Sequence, residues 1–143
     1  MKISTRGRYA LRVMIDLAEQ NNGNFIRLKD IVERQDISQK YLEGIMTDLS
    51  KAGMVEGQHG KGGGYKLNRA PEDYSVGEIL RITEGDLAPI ACLEKEASLC
   101  ARAQECRTLP MWKKLYEIIN EYLDGVTLAD LMQKGSRGDD YVI

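Results

Sequence analysis

The sequence predicts a mainly α fold with a small β-wing, and three observations predict it. Apolar residues recur at helical spacing in several separate windows. Between the third and fourth windows the pattern changes to two short strand-like runs around the glycine-rich stretch GQHGKGGG. A long amphipathic window then follows an irregular stretch that holds all three cysteines.

The first helix covers roughly residues 3 to 20, with Ala10, Val13, Met14, Leu17 and Ala18 on one face and Ser4 and Thr5 as candidate caps. Asn21, Asn22 and Gly23 stop it. Leu28, Ile31 and Val32 mark a short second helix ending near Gln35. After a tight turn Ser38 caps a third, which carries Tyr41, Leu42, Ile45, Met46 and Leu49 inward and ends at Gly53. Met54 to Glu56 and Tyr65 to Leu67 are the two strands of a hairpin with a long glycine-rich tip. Val76, Ile79, Leu80 and Ile82 form a fourth helix closed by Gly85. Asp86 to Thr108 has no clean period and is expected to be a loop with at most one helical turn. Trp112, Leu115, Tyr116, Ile119, Tyr122, Leu123 and Val126 then give the strongest amphipathic helix, and a short one follows around Leu128 to Met132.

This order is that of a winged helix-turn-helix, in which the third helix enters the DNA major groove and the hairpin lies against the backbone or minor groove. The summed charge argues against it, since 20 basic and 22 acidic side chains leave a net charge of −2. The two halves differ, however. Residues 1 to 69 hold 12 Lys/Arg against 8 Asp/Glu, and residues 70 to 143 hold 8 against 14. A basic half suited to nucleic acid is averaged with an acidic one.

Candidate base and phosphate contacts are Ser38, Gln39, Lys40 and Glu43 at the start of the third helix. Arg6, Arg8 and Arg12 on the first helix and His59, Lys61 and Lys66 on the wing are candidate phosphate partners. The plainer alternative is a solvated basic face without a ligand. GKGGGY is not a nucleotide-binding loop, because it lacks the Gly-Lys-Ser/Thr ending and leads into a strand. No nucleophile set can be assembled around His59, the one histidine, so an enzyme is not expected. No apolar run approaches the roughly 20 residues of a membrane span, and the start lacks a signal-peptide pattern, so the protein is expected in the cytoplasm, with no membrane partner.

Cys92, Cys100 and Cys106 follow a C-x7-C-x5-C pattern beside Glu94, Glu96 and Glu105. Three thiols in one loop suit a metal or iron-sulfur site, a redox pair, or inert small hydrophobes. Zinc falls behind, since there is no Cys-x2-Cys pair. A tetrahedral iron would also need a fourth ligand.

MKISTRGRYALRVMIDLA, ISQKYLEGIMTDLSKAGMVEGQHGKGGGYKL, SVGEILRITEGDLAPIACLE and MWKKLYEIINEYLDGVTLADL together resemble the Rrf2 family of bacterial transcriptional regulators, over about residues 1 to 133. The resemblance implies a homodimer on a palindromic double-stranded operator, joined through the long helix by Trp112, Leu115, Tyr116, Ile119 and Leu123. It implies that Cys92, Cys100 and Cys106 ligate an iron-sulfur cluster, 2Fe-2S ahead of 4Fe-4S, whose state changes DNA binding, most simply in a repressor. Cluster-binding members use as fourth ligand a histidine three residues after the third cysteine, or an acidic residue of the first helix. Here those positions hold Leu109 and Arg8, which leaves the fourth ligand unknown among Glu94, Glu96, Glu105, the second subunit or a small exogenous ligand. Many members also carry arginine on the wing where this chain has His59.

The last residues, Asp140-Tyr141-Val142-Ile143, resemble a second branch of the family, cluster-free regulators of cysteine metabolism that work through O-acetylserine sulfhydrylase. That enzyme captures partner tails ending in isoleucine, so Ile143 is a candidate docking residue; a chance isoleucine is the plainer reading. The expected organisation is a DNA-binding domain over 1–84, a sensor loop over 85–108, a dimerisation region over 109–133 and a flexible acidic tail over 134–143. From another class, a thiol-disulfide redox or interaction protein stays open.

Overall fold

A computed structural model of the chain describes residues 2–98 and 100–132. Among the described residues six α-helices and one hairpin follow the expected order: α1 (Thr5–Glu19), α2 (Leu28–Gln35), α3 (Gln39–Lys51), β1 (Val55–Gln58), β2 (Gly64–Leu67), α4 (Val76–Glu84), α5 (Leu109–Gly125) and α6 (Leu128–Leu131).

Helix starts are set by side-chain oxygens. The Ser4 hydroxyl accepts from the Gly7 N–H at 3.0 Å, and that of Ser38 accepts from the Tyr41 N–H at 3.2 Å. Ser75 and Glu78 form a reciprocal capping box at the head of α4. Asp36, in the left-handed region at φ 53°, makes the tight turn between α2 and α3. The main core is built from Ala10, Val13, Met14 and Leu17 of α1 against Ile31, Leu42, Ile45, Met46 and Leu49. Tyr41 does not turn inward as expected. One helical step from Leu42, it falls on the flank of α3, 37% exposed, with its ring edge-on to Tyr9 at 5.6 Å.

The hairpin is antiparallel, with Val55 opposite Leu67 and Gln58 opposite Gly64. Ile26 adds a separate antiparallel bridge to β2 that the sequence did not announce, exchanging both backbone hydrogen bonds with Tyr65 at 2.8 Å. Gly64 makes this approach possible: at φ 146° a Cβ there would collide with the Ile26 carbonyl. Behind the wing, fully buried Tyr74 donates its hydroxyl proton to the Met54 carbonyl at 2.8 Å.

A second, smaller core joins α4 to the long helix. Val76, Leu80 and Leu87 pack against Tyr116, Ile119, Leu123 and Val126. Arg81 ties the pair together, donating to Asp124 at 2.8 and 3.0 Å and to Asn120 at 2.8 Å. The backbones come close enough that a Cβ on Gly77 would strike the Asp124 carboxylate. On α5 another apolar stripe, Met111, Leu115, Ile118 and Tyr122, stays exposed. At 3.6 residues per turn it lies about 90° round the helix from the face that meets α4. Of the residues expected at a dimer contact, Leu115 belongs to the exposed stripe, whereas Tyr116, Ile119 and Leu123 pack within their own chain. The single amphipathic pattern in the sequence merges two faces.

Candidate nucleic-acid interface and cysteine loop

Ser38, Gln39, Lys40 and Glu43 are all exposed on the outward side of the α3 amino-terminal half. Gln39 donates to the Glu43 carboxylate at 3.2 Å, so the two side chains present one patch. The same side continues through exposed Thr47 and Lys51 at four-residue steps, a continuation that the spacing from Gln39 to Glu43 could have revealed. Thr47, Ser50 and Lys51 form one wall of a cleft whose other wall is the wing, Gln58, His59 and Tyr65. His59 and Lys61 are exposed near the wing tip.

The other expected phosphate partners divide. Arg8 is exposed and donates only to the Thr5 hydroxyl at 3.1 Å among the described contacts. Lys66 holds its ammonium 4.7 Å from the centre of the Phe25 ring. Arg12 donates to the side chain and carbonyl of Gln35, bracing the end of α2, and its guanidinium sits 5.0 Å from the centre of the Tyr9 ring. Arg6 pairs with Asp48 and donates to the Gly44 carbonyl at 3.0 Å, both on α3. Asp16, 4% exposed, accepts two hydrogen bonds from Arg34 at 2.9 and 3.0 Å and one from Gln35 at 2.8 Å, which fixes α2 on α1. Its carboxylate raises the Arg34 pKa above the ordinary value, chiefly through that hydrogen bond.

The cysteine loop begins where α4 ends. Asp86 accepts from the N–H groups of Ala88 at 3.0 Å and Lys95 at 2.9 Å, closing the first part of the loop. The Lys95 and then the Ala88 hydrogen bond hold its pKa below the usual range. Cys92, in a 3-10 turn over Ala91–Leu93, and Cys100 are exposed and line one cleft with Leu93, Gln104, Leu109 and Lys113. Cys106 does not line it. It lies near the head of α5, its sulfur 3.5 Å from the Thr108 hydroxyl, which with the Thr108 N–H lowers the thiol pKa. Glu94 and Glu96 face a different cleft, beside Asp86. The thiols suit an iron-sulfur cluster in chemistry but do not converge in position: among the described residues no three Cys, His, Asp or Glu side chains are gathered to hold a metal. Ile143 lies outside the described residues.

The root of this loop also meets the start of α1 through hydrogen bonds, beside the packing of Ile3 and Leu11 on the Leu87 cluster. Glu84, the last residue of α4, accepts from both the backbone N–H and the hydroxyl of Ser4 at 2.7 Å, directly at the cap of α1.

A helix-turn-helix carrying a glycine-tipped wing and an exposed polar reading face defines a DNA-binding transcriptional regulator. A family model described as Rrf2, iron-dependent transcriptional regulator, matches residues 3–134. The chain belongs to the Rrf2 family. It is 37% identical over 132 residues to the transcriptional regulator IscR of Aliivibrio salmonicida, covering 92% of this chain and 77% of that one. It is also 37% identical over 131 residues to the regulator CymR of Bacillus subtilis, covering 92% and 89%. Among solved structures, CymR, the global cysteine regulator of B. subtilis, superposes with a TM-score of 0.74 at 36% identity, over 92% of this chain and 95% of that one. IscR of T. potens superposes with a TM-score of 0.69 at 35% identity, over 94% of each chain. These relatives are transcriptional regulators, and the chain is a regulator rather than an enzyme. No described helix is long and apolar enough to cross a membrane.

Proposed function

We propose that the chain works as a homodimer on a palindromic duplex and that the state of its cysteine loop sets its hold on DNA. In this reading residues 1–84 bind DNA, 85–108 sense and 109–133 associate. Ser38, Gln39, Lys40 and Glu43 read the major groove, while Arg8, His59 and Lys61 meet the backbone or minor groove. Trp112 and the exposed stripe containing Leu115 form the contact between subunits.

Cys92, Cys100 and Cys106 would hold an iron-sulfur cluster, which when bound supplies redox-sensitive and supply-sensitive chemistry. The likeness to IscR and the three free cysteines in one loop support this reading. The observation that carries control by the loop is Glu84. The residue that opens the loop also seats Ser4, so a rearrangement beyond Gly85 is felt at the start of α1. Two recognition helices about 34–36 Å apart are required by half-sites one turn apart, and a small rotation of either subunit breaks that register.

Anaerobic purification, visible absorption and iron and sulfide analysis test the cluster, with operator binding measured before and after chelation. A colourless, iron-free protein after reconstitution would remove the cluster and leave DNA binding standing. The resemblance of the tail to cluster-free members of the family points to a second input, O-acetylserine sulfhydrylase docking on Asp140 to Ile143. An Ile143→Ala protein that binds the enzyme as tightly as the wild type would exclude it.

A further inference from the structure

Arg6 has the position of a DNA-facing arginine but directs its donors inward. Its Nε donates to Asp48 Oδ2 at 3.1 Å, one terminal nitrogen makes the ion pair with the same carboxylate, and that nitrogen also donates to the Gly44 carbonyl at 3.0 Å. The contacts run from the first turn of α1 to the middle of α3, 38 and 42 residues away. Gly44 leaves the room for them. A Cβ at that position would lie in ordinary contact with the guanidinium at 3.5 Å, so alanine is accommodated and a longer side chain would reach the place the guanidinium holds. A glycine inside a helix costs about 1 kcal/mol relative to alanine, and the guanidinium lies directly over this one.

We propose that Arg6 is a positioning residue for the recognition helix: it fixes the axial position and tilt of α3 through Asp48 and Gly44, rather than neutralising a phosphate. The proposal rests on the reading of α3 as the helix that enters the major groove. It also makes the sign of one substitution unusual. Removing the negative charge of Asp48 beside a DNA face should leave binding unchanged or tighten it if Asp48 is a bystander. If Asp48 holds the clamp, the same change weakens binding.

The test measures affinity of the full chain for its operator and for a non-specific duplex over a range of salt concentrations, with circular dichroism confirming the fold. Arg6→Ala and Asp48→Asn are each expected to weaken operator binding about tenfold, the scale of a lost charge-assisted hydrogen bond. Non-specific binding and the salt slope should stay near wild type. The double variant should also lose about tenfold, not a hundredfold, because both changes break one clamp. Gly44→Leu, which displaces the guanidinium without removing a charge, should reproduce the loss and covers the case in which Arg6→Ala does not fold.

The proposal is overturned if Asp48→Asn tightens binding or leaves it unchanged. It is likewise overturned if Arg6→Ala lowers the salt slope by about one and weakens both duplexes equally, the signature of a phosphate contact. Lys40→Ala separates the two readings. If it has no effect on operator affinity, the assignment of α3 falls and the clamp falls with it; if it weakens binding while Asp48→Asn does not, the clamp alone is wrong.

Discussion

The Glu84 carboxylate accepts both the N–H and the hydroxyl proton of Ser4, 80 residues earlier in the chain, and the Thr83 hydroxyl donates to it as well at 2.7 Å. Burial opposes ionisation of this carboxyl, but the hydrogen bonds from Ser4 and then Thr83 outweigh it and hold the pKa below the ordinary value. A carboxyl depressed in the folded state contributes stability that is fully present above its unfolded pKa, about 4.3, and is lost as pH falls through the lower folded value. The wild type should therefore lose stability below about pH 5 more steeply than Glu84→Gln, as read from urea midpoints across that range. Parallel curves would show that the contact contributes nothing to the acid response.

Gly7→Ala should disturb the same contact without touching the carboxylate. A Cβ on Gly7 would lie 2.9 Å from Glu84 Oε2, 3.0 Å from Thr83 Oγ1 and 3.2 Å from the Ile3 side chain. Those are side-chain atoms that can swing away, and alanine gains about 1 kcal/mol of helix propensity over glycine. The expected result is a modest change in melting temperature together with the flattened acid profile of Glu84→Gln. A wild-type acid profile would mean that the carboxylate finds Ser4 in spite of the methyl group.

Gly64→Ala has no such relief, because the obstacle is the Ile26 backbone and the residue sits at φ 146°. A loss of about 2–3 kcal/mol is expected from combined strain and collision. Amide exchange should speed up at Ile26 and Tyr65 before it does so in α3. Unchanged protection at those two amides would refute this account of the Ile26–Tyr65 bridge.

The two faces of α5 should respond differently to one charge. Ile118 is 50% exposed, so Ile118→Glu should leave the fold intact and, on the proposed association through this stripe, shift sedimentation at micromolar concentration toward the monomer. Ile119 packs against the Val76, Leu80 and Leu87 cluster, and Ile119→Glu should cost about 2 kcal/mol or more of stability by leaving a charge against an apolar cluster. A dimeric Ile118→Glu protein would show that association uses another surface.

Periodicity and capping chemistry made most of the elements legible. Ser4 and Ser38 cap the helices they precede, and Gly85 closes α4. What pattern alone does not carry is which distant group a side chain meets. Arg6 and Arg8 look alike in a charge count, yet one lies against Asp48 and the other is exposed. Ile26 precedes a helix and still joins the sheet, since its partner Tyr65 is 39 residues away. The cysteine loop is legible only as an absence of period, because its shape depends on Asp86 reaching the Lys95 amide rather than on any repeat.

Met111, Leu115, Ile118 and Tyr122 share a helix with the residues that pack on α4 but not their neighbours. Natural selection can therefore alter these four positions without altering the second core. On the proposed contact between subunits, changes confined to this outer stripe would alter the choice of mate while leaving the inherited fold as it is.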